Sequence, residues 1–153
     1  MSREYTFFYL VAFFSLWFLS VLGGIAVVLS RILVEEEYDD EGILTRGSQC
    51  SVRARALLTS GCTVFWICTV LGHALSGSSL TTLFGFWQDH PVFLVILFFL
   101  ADFLLVPSVV FAWQASGSGR WVLSIATPIV AFASLAASFF LFMSAFATSA
   151  SSF

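Results

Sequence analysis

Residues 93–113 read FLVILFFLADFLLVPSVVFAW, and Asp102 sits near the middle of an apolar run long enough to cross a bilayer. It is the twelfth residue counted from Pro91, about 18 Å along a helix. An Asp at the bilayer centre costs on the order of 2.5–3.5 kcal/mol on insertion scales. The apolar stretches of this chain hold no Arg or Lys near their middle, Arg55 standing at the very start of the second, so none of its own cations meets the carboxyl at that depth. Three chemistries answer such a placement. The acid is protonated and hydrogen-bonded to a hydroxyl such as Ser15, Thr63 or Ser134; or it meets a cation or donor of another subunit; or it lines a wet path for protons or ions. Pro107, five residues on, removes one helix hydrogen bond and bends the segment, and Ser108 is placed to re-satisfy a freed carbonyl. Asp102, Pro107 and Ser108 together make the candidate intramembrane contact.

Other reactive types are sparse. His73 and His90 fall near the same side of the membrane, and two facing histidines suit haem ligation; with Asp89 they sketch a quinone site. A transverse haem asks for ligands at matched depth on facing helices, and Pro91 directly after His90 works against that. EEEYDDEG, residues 35–42, offers clustered carboxylates of the type hard cations take. It lacks the ligand spacing and central Gly of an EF-hand loop, so a solvated charge run, partly neutralised by Arg46, Arg53 and Arg55, is the plainer expectation. The chain holds no nucleophile elbow, no His-Glu-x-x-His, no phosphate-binding Gly loop and no Cys-x-x-Cys. No catalytic activity, metal or cofactor is expected.

The elements that must position these residues follow from composition. The 153 residues are 59% hydrophobic and 10% charged, where a soluble domain carries roughly 25% charged residues. A water-facing surface cannot be covered with so little charge, so the class is integral membrane. All six basic residues are Arg, and the net charge is −3, which excludes a nucleic-acid partner. Asn is absent, which excludes N-linked glycans. About 20 apolar residues span the hydrocarbon as a helix. Four stretches qualify, at about 6–30, 54–76, 92–113 and 121–147, predicting an all-α, single-domain four-helix bundle. The first run is longer than a signal-peptide core and is kept as a span.

A polar, acidic loop is expected over 31–53, an interfacial segment over 77–91, and a short turn, QASGSGR, over 114–120 that makes spans three and four antiparallel neighbours. Trp113 and Trp121 flank that turn, where an aromatic belt belongs. Arg31, Arg46, Arg53, Arg55 and Arg120 stand on one side against Arg3 on the other. The Arg count therefore puts loops one and three on the cytoplasmic or matrix side, with both termini opposite.

Small residues four apart let membrane helices approach closely. The stripes are Ser20/Gly24 and Ala26/Ser30 in span one, Cys68/Gly72/Ser76 in span two, and Ala133/Ala137 and Ser134/Ser138 in span four. Cys62 and Cys68 read as small packing residues, and Cys50 as a loop thiol able to pair only with another chain or a cofactor.

ILFFLADFLLVPSVVFAW, followed by a short loop and an Ala/Ser/Phe-rich fourth span, resembles the Casparian-strip-like four-span proteins of plants, within the broader MARVEL-type group of membrane scaffolds. That family carries an Asp in its third span, which Asp102 matches. Its first-span Arg has no counterpart here, since Arg3 precedes the span and Arg31 follows it. The resemblance implies cytosolic termini, opposite to the Arg count. QCSVRARALLTSG, with Cys50 ahead of span two, is similar to the plant four-span proteins that modify wall lignin; their second cysteine, between spans three and four, is missing. Both likenesses imply small non-enzymatic proteins that act by association.

The expected function is a scaffold or accessory subunit of a larger membrane complex. Its partners would be the lipid bilayer and other membrane subunits or copies of itself, in the plasma membrane or an organelle inner membrane. The alternatives are a small transporter or proton- or ion-conducting subunit using Asp102, and a haem- or quinone-binding anchor.

Overall fold

Backbone amides find no water in hydrocarbon, so an apolar run that crosses it must satisfy them within its own helix. The computed structural model describes the backbone of residues 3–75 and 91–150 and the side chains of 10–71, 92–143 and Phe146. Over these residues the protein is four helices: α1 Arg3–Leu33, α2 Arg46–Leu75, α3 Pro91–Gln114 and α4 Arg120–Ala150. All four are long and apolar enough to cross a membrane, over Leu10–Leu33, Arg46–Leu71, Val92–Gln114 and Arg120–Met143. The protein is an all-α, multi-pass membrane four-helix bundle. The predicted segment over 77–91 lies, apart from Pro91, outside the described residues. So do Ser76, Asp89, His90 and the side chains of Gly72 and His73.

Two predicted boundaries are corrected. Arg31 belongs to the last turn of α1, and α2 begins at Arg46, eight residues ahead of the expected 54. Thr45 is the local cause. Its hydroxyl accepts from the Ser48 amide at 3.4 Å, and its carbonyl takes the first helical bond, from Gln49, at 2.9 Å, as an N-cap does. RGSQCSVR is therefore helix, and Cys50 is a buried helical residue rather than a loop thiol.

The helices form a ring. α2 meets α3 most extensively, α3 meets α4, α1 meets both α2 and α4, and α2 touches α4 only lightly across the diagonal. Leu16, Leu19, Leu58, Phe65, Phe98 and Leu141 fill the interior, with Phe65 and Phe98 rings 5.4 Å apart. Outside, Phe103, Phe132 and Trp113 stand more than two-thirds exposed, as lipid-facing side chains do.

Glycines set two of the interhelical distances. A Cβ on Gly23 would meet the Cys62 sulfur at 2.6 Å, and one on Gly61 would meet Leu105 Cγ at 2.7 Å. Gly24, which the Ser20/Gly24 stripe singled out, leaves an ordinary 3.8 Å to Trp66. The close approach belongs to its neighbour, because one residue is a rotation of about 100° around the helix.

The end of the bundle carrying loops one and three is clasped by polar bonds. The Glu35 amide donates to the Ser118 carbonyl at 3.2 Å, and Ser51 Oγ to the Ser116 carbonyl at 3.2 Å. A Cβ on Gly119 would fall 1.8 Å from the Leu33 carbonyl oxygen. Beneath this clasp Val34, Ala54, Ala112, Val122 and Leu123 make a second small core. The two loops thus share one end, and neighbouring helices around the ring run antiparallel.

Candidate functional site

Asp102 is on the buried face of α3 at 6% exposure. Both of its oxygens are taken by α4. Ser134 Oγ donates to Oδ1 and Ser138 Oγ to Oδ2, each at 2.5 Å. The two serines are four residues apart and so share one face of α4; both are buried. A mid-helix Ser ordinarily turns its hydroxyl back onto the carbonyl four residues earlier, as Thr59, Thr63 and Thr69 do in α2. Ser134 and Ser138 instead reach across to the carboxyl and form a two-point clamp.

Of the three hydroxyls the sequence offered, Ser134 is the one that bonds Asp102, while Thr63 donates to the Thr59 carbonyl. Ser138, read only as a small packing residue, is the missed partner. The signal was available: Asp102 is twelve residues before the end of α3, and Ser134 is fourteen after the start of α4. A tight turn puts those positions at similar depth. Of the three chemistries open to Asp102, the geometry shows the hydroxyl partner, with both oxygens bonded inside the chain.

Pro107 lies within α3, and Pro128, which the sequence reading passed over, lies within α4. Counted from the clamp toward the loop end, they are five and six residues away, about 8–9 Å. The two missing helix bonds therefore fall at nearly one level. Ser108 does not serve the carbonyl four residues before Pro107. Its hydroxyl donates to Leu105 at 2.5 Å.

A second polar junction ties α1 to α2. Trp66 Nε1 donates to the Ser20 carbonyl at 2.9 Å, and Ser20 Oγ lies 3.0 Å from Thr69 Oγ1. Thr69 donates to the Phe65 carbonyl, so Ser20 supplies the proton. Cys68 and Ala137 are buried and Ala133 is half-buried against the core. Cys50, Cys62 and Cys68 are free thiols and all buried. The Cys50 sulfur lies 3.9 Å from Gln114 Oε1.

The acidic run folds into a tight hairpin. Tyr38 and Leu44 form an antiparallel bridge. Asp39 Oδ1 accepts the amides of Glu41 and Ile43 at 3.0 and 2.8 Å, and Gly42 takes φ 75°. Arg55 pairs with Glu36, the one ion pair among the described residues. Arg53 lies over the Phe111 ring at 5.8 Å, and Arg46 opens α2, so only Arg55 neutralises the run directly. Among the described residues no three His, Cys, Asp or Glu side chains converge to hold a metal ion.

The hydrogen bond from Tyr38 and the contact with Arg55 hold the Glu36 carboxyl below its ordinary 4.5. A lowered folded value means the contribution is present above the unfolded value and lost as pH falls through the folded one. Glu36 is exposed, so the effect is small. The melting temperature of the purified protein should fall as pH drops below about 4.5, and Glu36→Gln should flatten that slope. An unchanged slope in the variant would remove Glu36 as its cause.

No family model, curated protein or solved structure matches this chain.

Proposed function

We propose that this protein is a non-enzymatic membrane scaffold or accessory subunit that works by lateral association in the bilayer. One observation carries the reading. The polar groups inside the bundle are spent on one another, Asp102 on Ser134 and Ser138 and Ser20 on Trp66 and Thr69. Among the described residues, what other molecules meet is an apolar, Phe-rich lateral surface and a polar loop end. A conducting role asks for water at Asp102, whereas its carboxylate is held between two hydroxyls at 6% exposure. The likeness of the third span to Casparian-strip-like proteins fits association of this kind. The plasma membrane or an organelle inner membrane is the proposed location.

The test is extraction of the tagged protein from its native membrane in mild detergent, followed by native sizing and mass spectrometry. A large assembly with defined partners, or with copies of itself, is expected. A lone monomer would end the association reading.

A further inference from the structure

Between the last turn of α1 and residues 52–60 of α2 lies a cleft of about 430 Å³. Arg31, Glu36, Arg55, Thr59 and Ser60 line it, with Val52 on its wall. Arg55 is paired to Glu36, and Arg31 makes no ion pair among the described residues. Two guanidiniums and one carboxylate leave a single net positive charge. Thr59 and Ser60 donate their hydroxyls to the Arg55 and Ala56 carbonyls, so the donors left for an anion are the guanidinium N–H groups. A guanidinium offers five of them in a fork that suits phosphate oxygens.

We propose that this cleft binds the phosphodiester of an anionic phospholipid. The net charge matches a monoanionic phosphodiester. The depth matches too, since Arg31 lies two residues before the end of α1, at the end of the bundle where Trp113 and Trp121 stand exposed as an interfacial belt. Val28, one turn below Arg31, and Ile32 beside it are both exposed and give acyl chains an apolar wall. A site for free phosphate has no use for such a wall.

The experiment is native mass spectrometry of the full chain in detergent with dioleoyl phosphatidylglycerol or dioleoyl phosphatidylcholine at equal mole fraction. Phosphatidylglycerol should be retained in preference. Arg31→Gln should lower its occupancy about fivefold, the worth of one basic residue at an anionic surface. Glu36→Gln should raise it, because Arg55 is then freed. Arg31 and Glu36 are both exposed, so neither change threatens the fold. Equal retention of phosphatidylglycerol by the parent and Arg31→Gln would overturn the site. Displacement of the lipid by excess inorganic phosphate would overturn the lipid assignment in favour of the free anion.

Discussion

Gly119→Ala should cost the bundle about 2–5 kcal/mol. Gly119 sits at φ 74°, where an L side chain is strained, and its added Cβ would fall 1.8 Å from the Leu33 carbonyl oxygen and 2.6 Å from the Leu33 carbonyl carbon. The left-handed conformation alone costs about 1–2 kcal/mol. Overlap with backbone adds a repacking cost of about 1–3 kcal/mol, because a carbonyl cannot rotate aside as a side-chain tip does. Gly42→Ala separates the two contributions. Gly42 has φ 75° with nothing within 4 Å, so its alanine variant carries only the conformational cost. Unfolding in mixed micelles, titrated with a denaturing detergent, should show Gly119→Ala well below Gly42→Ala. Equal losses would mean that the turn after α3 does not press on the end of α1.

Removing both donors of the Asp102 clamp should be the other large effect. Hydrogen bonds between helices in a bilayer are worth about 0.6 kcal/mol on average and up to about 1.7 kcal/mol, which sets the scale for Ser134→Ala or Ser138→Ala alone. Taking both leaves an unsatisfied acid at mid-depth, a loss of about 2.5–3.5 kcal/mol. The discriminating variant is Asp102→Leu in the double-alanine background. Removing the acid there should restore most of the loss, because nothing polar is then stranded. Asp102→Asn in the parent should be mild, since a carboxamide still pairs with both hydroxyls. A further loss on adding Asp102→Leu would show that the carboxyl has partners other than the two serines.

The helices were legible because hydrocarbon leaves a chain one local option, and Leu, Phe and Val runs of span length state it directly. The start of α2 was not, because RGSQCSVR carries no hydrophobic signal. Its helicity comes from the Thr45 cap and from packing of buried Ser48 and Ser51 at the loop-three end, a tertiary contact that hydropathy does not record. Asp102 was legible as the polar anomaly, and Ser134 as one hydroxyl among three. Choosing among them needed the depth register that the short turn after α3 imposes. Ser138 escaped because Ser four residues from Ser reads equally as a smooth stripe and as two donors. Gly23 and Gly24 differ by one position and by the whole of the contact, which periodicity in a uniformly apolar helix does not resolve.

The ring closes between α1 and α4, the first and last of the four described helices in chain order. The Glu35–Ser118 bond and the seat of Gly119 against Leu33 wait until residue 119 has been made, and at roughly 5–20 residues per second that is a delay of several seconds. Throughout it α1 lies in the bilayer with one flank open. α3, which carries Asp102, reaches the bilayer ahead of α4, which carries Ser134 and Ser138. A nascent chain stalled after its third helix therefore displays a bare acid in the membrane, and arrival of the fourth erases it. The residue that clamps the finished bundle is also what distinguishes the unfinished chain from it.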